Sequence, residues 1–229
     1  MKIKLTVEKA RERVARFGRK IADSNLILGT WGNISCRLPD EQLVIITPSG
    51  VGYHQIRPNM PVVVNMDGEV REGDLKPSSE IKVHLAIYAA REDVNAVVHT
   101  HSAYASALAV SGISIPPILE DMAALIGGEV PVAEYAVAGS EQLARSTVRA
   151  MGKKNAVLLA NHGMVGVGRD LDEAFDVCMM VERCAQIYII SKLVGDPKVL
   201  SPGDVAVLRD FYLNKYGQRE RVEVFKCPK

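Results

Sequence analysis

"NAVVHTHSAYASALAV", residues 95–110, decides how this chain is read, because it sets two of the five histidines one residue apart at the end of an apolar run. An extended segment from Ala96 to His101 has a side-chain period of two, so His99 and His101 emerge on one face and Thr100 on the other. Two imidazoles on one side suit a metal ion, but two ligands hold an ion weakly and a third is needed. The pattern of an apolar strand running into a histidine returns at "NAVLLANHG", residues 155–163, where His162 follows Ala156–Leu159 and precedes Gly163. A His-x-His pair with a distant third histidine leaves positions open on Zn²⁺ for water or substrate. His84 lies four residues after Glu80 on a helical pattern and reads as a packing residue or a partner of the site rather than a ligand. His54 reads as a solvated loop side chain or a neighbour of a bound phosphate.

The whole chain sets the bounds. Its 229 residues are 48% hydrophobic, enough for a sizeable core, and a single domain over residues 1–229 is expected. The net charge is +1 with both signs interspersed, which offers no basic stripe to nucleic acid and no polybasic segment to a membrane surface. Cys36, Cys178, Cys184 and Cys227 form no C-x-x-C pair and no secretory apolar segment follows Met1, so a reduced, cytoplasmic setting is expected. The span Val94–Leu119 is uncharged, yet its two histidines, its serines and Pro116-Pro117 argue against a transmembrane helix.

Strands and helices mix along the chain. Val7, Ala10, Val14, Phe17, Ile21 and Leu28 recur at helical spacing, predicting an amphipathic first helix stopped by Gly29. "NISCRLPDEQLVIITPSG" predicts a hairpin in which Ile34 and Cys36 alternate with polar residues, and "MPVVVNMDGEV" a second strand pair around Asp67-Gly68. From Pro77 the period turns helical, with Ile81, Leu85 and Tyr88 on one face, Ser78 or Ser79 as N-cap and Glu80 in the first turn. Beyond the histidine strand come a short helix at Met122–Ile126, a strand in "VPVAEYAV", a helix capped by Ser140 and ended by Gly152, and helices at Leu171–Val194 and Pro202–Tyr216 before a charged tail. The expected class is α/β, helices packed around a largely antiparallel sheet.

Three loops share a second chemistry: "GTWGNIS" (29–35), "TPSG" (47–50) and "KPSSE" (76–80). Each sets hydroxyl or amide side chains beside Gly or Pro, exposing backbone N–H groups, and the Ser78-Ser79 pair stands where a helix adds its positive end. Singly these are ordinary turns; in combination they describe an anion or phosphate pocket.

"GTWGNISCR", "TPSG", "KPSSEIKVHLAIY", "AVVHTHSAYASAL" and "LLANHGMVGVG", in this order, resemble the class II aldolase and adducin-head family, most strongly its L-fuculose-1-phosphate aldolase branch. The resemblance implies a three-layer α/β/α sandwich, a homotetramer with sites at subunit interfaces, and a catalytic Zn²⁺ acting on a small phosphorylated sugar. It implies that His99, His101 and His162 ligate zinc and that Glu80 serves both as ligand and as catalytic acid/base. Thr30, Asn33, Ser49, Gly50, Ser78 and Ser79 match the phosphate-binding loops, and Tyr216 in "NKYG" matches a C-terminal tyrosine near the aldehyde side. The chemistry fits these residue types: cleaving a carbon–carbon bond next to a ketone leaves negative charge that a Lewis acid stabilises, while a carboxylate beside it moves the proton. Remote phosphate binding fixes the substrate for cleavage.

Departures are equally informative. The branch carries a proton-donor Tyr in a segment that here reads "SIPPILEDMAALIGG", with Glu120 or Asp121 near its place, which opens the identity of the aldehyde half. Trp31 stands where a smaller residue is common and is expected to fill core. Glu rather than Asp at position 80 favours an aldolase over a ribulose-phosphate 4-epimerase. A methylthioribulose-phosphate dehydratase and an oxo-tetronate-phosphate decarboxylase are further readings on the same fold, and a non-catalytic, adducin-like assembly module is the reading from a different class.

Overall fold

A computed structural model describes residues 6–216, so the charged tail and Cys227 lie outside the described residues. The first helix, α1 (Val7–Asp23), begins at Thr6, whose hydroxyl accepts from the Lys9 N–H. It stops five residues before the expected end at Leu28, because Ser24 closes it and Asn25 turns left-handed at φ 56°. Leu28 is consequently exposed.

Eight strands make one sheet: β1 (Asn33–Leu38), β2 (Leu43–Ile46), β3 (Val62–Asn65), β4 (Val70–Glu72), β5 (Ala96–Thr100), β6 (Val132–Ala133), β7 (Ala156–Leu159) and β8 (Gly163–Gly168). Their order is β4-β3-β2-β1-β5-β8-β7-β6, and every pair is antiparallel except β6 with β7. The expected strand in "VPVAEYAV" shrinks to the two residues of β6 at the sheet edge.

Alternation along the strands sorts side chains into two cores. Ile34, Cys36, Ala96, Val98, Leu158 and Met164 face α1, α3 (Ala103–Val110), α4 (Glu120–Ile126) and α6 (Leu171–Val194). Val97, Val157, Val165 and Val167 face α2 (Ile81–Ala90) and α5 (Glu141–Met151). These are the three expected layers. The last helix, α7 (Pro202–Asn214), docks on α4, where the Arg209 guanidinium donates to the Ala124 and Leu125 carbonyls.

Several local expectations are corrected. Glu80 itself is the N-cap of α2, and Ser78 instead accepts the Glu80 N–H through its hydroxyl at 3.3 Å. The buried stripe of α2 runs through Val83, His84, Ile87 and Tyr88, while Ile81 and Leu85 are half-buried, because this helix is squeezed between the sheet and α5. Ser140 does cap α5, accepting from the Leu143 N–H. Two elements that the sequence does not announce, α3 and β8, fill the space around the histidines.

Candidate active site

The expectation that His99 and His101 share a face fits the sheet: Val97 belongs to the core on the α2 side, and the alternation continues through His99 to His101. His99 is 2% exposed, and its Nδ1 lies 2.9 Å from the Met164 carbonyl on β8. A carbonyl only accepts, so Nδ1 donates to it and Nε2 is the nitrogen that faces the cavity. His101 follows directly, its backbone N–H bonded to the Leu26 carbonyl at 3.0 Å.

His162 arrives from the β7–β8 turn, which Asn161 makes possible with φ 57°. Gly163 then lets β8 press onto the end of β5; a Cβ there would sit 2.3 Å from the Thr100 carbonyl oxygen. The three imidazoles form a compact group with ring centroids 4.7–4.9 Å apart. Glu80 completes it from the start of α2, with Oε2 3.2 Å from His99 Nε2 and Oε1 3.5 Å from His162 Nε2. One ligand atom from each of the four lies within 4.8 Å of the others.

The electrostatics favour a cation in that space. Burial, reinforced by the neighbouring imidazoles, pushes His101 down to about 3 and His162 down to about 4, so both stay neutral and keep a lone pair. Burial alone would raise Glu80, but His99, His162 and a hydrogen bond from Asn33 outweigh it and hold the carboxyl well below its ordinary range. Four converging ligand groups, three imidazoles and a carboxylate, fit a divalent metal ion.

The three loops matched to phosphate binding are brought together beside this cluster. Thr47 joins the first two, accepting the Ile34 N–H through its hydroxyl and donating its own N–H to the Ile34 carbonyl. Pro48 and Pro77 form an isolated bridge joining the second and third, flanked by Ser49 N–H to Lys76 and Ser78 N–H to Thr47. Thr30, Ser49, Gly50 and Ser79 are exposed there, whereas Ser78 and Asn33 are buried. The Asn33 amide is committed inward, with Nδ2 2.9 Å from Glu80 Oε2 and Oδ1 on His84.

Trp31 is not core, contrary to expectation: it is 66% exposed on the same loop, with its ring 6.3 Å from that of His101. The loop turns outward there because Gly32, at φ 100°, runs against the His99 backbone and leaves no inward room. His54 lies exposed in a 3₁₀ turn, 3.9 Å from the Asp23 carboxylate. Tyr216 is exposed beyond α7, stacked on Tyr212, and lines a groove of about 840 Å³ with Tyr104, Glu120, Asp121 and Phe211. None of the four clustered residues lines that groove.

Fold and site together define a three-layer α/β/α protein with three histidines and one carboxylate gathered where they could hold a metal ion. Its family follows. The model of the Class II Aldolase and Adducin N-terminal domain matches residues 12–189, and the chain belongs to that family. It is 41% identical over 215 residues to a 5-deoxy-D-ribulose 1-phosphate aldolase of Bacillus thuringiensis serovar kurstaki, covering 94% of this chain and 100% of the relative. It is 39% identical over 186 residues to a 5-methylthioribulose-1-phosphate/5-deoxyribulose-1-phosphate aldolase of Rhodospirillum rubrum, covering 81% and 82%. A solved structure of an L-fuculose 1-phosphate aldolase superposes with a TM-score of 0.86 at 37% identity, covering 89% of this chain and 96% of the other. The chain is an enzyme of the metal-dependent aldehyde-lyase class, which sets aside the assembly-module reading. No helix among the described residues is long and apolar enough to cross a membrane.

Proposed function

We propose that this protein is a zinc-dependent, cytoplasmic aldolase that reversibly cleaves a deoxyketose 1-phosphate, such as 5-deoxyribulose 1-phosphate or L-fuculose 1-phosphate, into dihydroxyacetone phosphate and a short aldehyde, using a single domain over residues 1–229. The observation that carries this reading is the Glu80 carboxylate held against three imidazoles whose acceptor nitrogens converge on it. Relatives that cleave 5-deoxyribulose 1-phosphate support the deoxy sugar, and with the fuculose compound it shares a terminal methyl group.

Three imidazoles and one carboxylate are donors zinc accepts, and Glu80 would leave the ion to move protons when substrate binds, so that three histidines hold the metal and positions stay open for substrate oxygens. When bound, the ion supplies a Lewis acid for the ketone and its adjacent hydroxyl. The chain's own residues do the rest. Thr30, Ser49, Gly50, Ser78 and Ser79 grip the phosphate with hydroxyls and backbone N–H groups, and Asn33 borders that grip while its amide holds Glu80. In cleavage the C3–C4 bond breaks, the C4 hydroxyl loses its proton to become the aldehyde, and Glu80 delivers a proton to C3 of the three-carbon half; synthesis reverses each step.

Tyr216, with Glu120 or Asp121, acts on the aldehyde half in a neighbouring copy's site within a homotetramer. This is supported by their lining one groove that none of the four clustered residues lines. The test is a Glu80→Gln enzyme assayed for dihydroxyacetone phosphate release: the reading requires loss of turnover with metal retained, and turnover at the parent rate would remove Glu80 from its role.

A further inference from the structure

The carboxylate that meets the histidines is the last link of a buried polar ladder between β1 and α2. Asn33 and Ser35 are two apart on one face of β1, and Glu80, His84 and Tyr88 are four apart along one face of α2. The two rows interdigitate. Tyr88 Oη lies 2.7 Å from Ser35 Oγ, Ser35 Oγ 2.6 Å from His84 Nδ1, His84 Nε2 2.5 Å from Asn33 Oδ1, and Asn33 Nδ2 2.9 Å from Glu80 Oε2. Ser35 and His84 are fully buried, Tyr88 is 1% exposed and Asn33 3%.

Every hydrogen in the ladder has one consistent place. The ionised Glu80 oxygen only accepts, so Asn33 turns its amino group to it and its carbonyl to His84. That carbonyl also only accepts, so His84 carries its hydrogen on Nε2. Burial pushes the His84 ring down to about 3, leaving Nδ1 bare to accept from Ser35, which in turn accepts from Tyr88. All four bonds therefore donate in the same direction, toward the carboxylate, and such chains polarise one another. The row lies among apolar neighbours, Ile46 and Val97 flanking Ser35 on the adjacent strands and Val83 and Ile87 on α2, where aliphatic side chains would pack without the desolvation of five polar groups. Fold stability does not call for it, whereas a carboxylate needing one orientation does.

We propose that His84, backed by Ser35 and Tyr88, is a positioning residue that locks the Asn33 amide in one orientation and through it holds the Glu80 carboxylate toward the metal-binding histidines, a role that rests on the aldolase reading for its catalytic meaning. Without the His84 donor, the Asn33 carbonyl is unpaired and the amide is free to rotate, and Glu80 loses its fixed partner. Glutamine places an N–H donor near the Nε2 position of histidine; leucine places none.

The experiment compares His84→Leu and His84→Gln with the parent, each checked for metal per chain, on the deoxyketose 1-phosphate the parent cleaves. Expected for His84→Leu are an unchanged metal content, KM within about twofold, and kcat lower by about 10- to 100-fold, the size of effect that misplacing a reacting group produces. His84→Gln is expected to recover to within about threefold of the parent. Parent-like kcat in His84→Leu, or equal loss in both variants, overturns the role. Should His84→Leu fail to fold, ¹⁵N-histidine spectra of the parent decide: the neutral Nε2–H form of His84 is required, and the Nδ1–H form breaks the ladder and the proposal with it. Failure of the parent to cleave any such sugar would take down the aldolase reading and this role together, whereas an active parent with an unaffected His84→Leu variant takes down the role alone.

Discussion

Gly163→Ala probes how the fold delivers its third histidine. The added Cβ would stand 2.3 Å from the Thr100 carbonyl oxygen and 3.3 Å from His101 Cδ2. An ordinary carbon–oxygen contact is about 3.3 Å, so β5 and β8 must part by about 1 Å where they carry His101 and His162. Metal sites tolerate ligand displacements of only about 0.2 Å, and disturbing groups that orient ligands weakens metal affinity by about 10- to 100-fold. The same overpacking costs about 1–3 kcal/mol of stability, a fall in Tm of roughly 2–12 °C for a chain of this size. Gly166→Ala is the matched control. Its Cβ would meet Cys178 Sγ at 2.7 Å and Val177 Cγ1 at 3.0 Å, pressing on α6 and not on the cluster. Competition with a coloured chelator measures metal affinity, and thermal melts of metal-stripped protein measure stability. The expectation is that both variants lose stability but only Gly163→Ala loses metal affinity. A Gly163→Ala protein that is destabilised yet binds metal as the parent does would refute this account of how strand packing sets the site.

Other outcomes follow from the same geometry. Glu80→Gln should keep its three imidazoles and its metal while kcat falls by about 100- to 10,000-fold, the range for removing a proton-transfer group, and His101→Ala should lose metal as well as activity; metal analysis alongside initial rates separates the two. At α6, burial alone would raise the Glu173 carboxyl, but bonds from the Arg169 guanidinium and backbone N–H and from Tyr212 leave it lowered. A carboxylate lowered in the folded state stabilises above its unfolded value of about 4.3 and loses that contribution as pH falls through the folded value. Glu173→Gln should therefore cost about 1 kcal/mol at pH 7, a figure kept low because the Arg169 side chain is 44% exposed and solvent screens it. The gap in urea midpoint between variant and parent should close below about pH 4; an undiminished gap at pH 3 would show that charge is not its source.

Much of the site was legible because strand periodicity and loop chemistry are local. The His-x-His spacing placed two imidazoles on one face, and the same pattern at residues 155–163 supplied the third. What escaped was set by distant partners. In "NISCRL" the alternation of Ile34 and Cys36 with polar residues does not say what covers the polar face; α2 does, drawing Asn33 and Ser35 into an internal ladder, while Arg37 beside it donates to the Tyr88 carbonyl. The helix "AYASALAV" has no polar stripe to betray it, and its first N–H groups are capped by Glu182 on α6. In β8, "GMVGVG" looks like turn sequence; its glycines are there because α6 and the Thr100 carbonyl lie too close for any Cβ. The expectation that Trp31 fills core fails because the close approach of Gly32 to β5 turns the loop outward beside His101.

The most direct test of the central claim is a coupled assay for dihydroxyacetone phosphate with 5-deoxyribulose 1-phosphate and L-fuculose 1-phosphate, run on zinc-loaded and metal-stripped enzyme with the second product identified. The account predicts release from at least one of these sugars with the matching aldehyde, abolished by stripping and restored by zinc. Release that persists without metal, or a zinc-dependent change of the sugar by epimerisation or loss of water with no dihydroxyacetone phosphate, would contradict it.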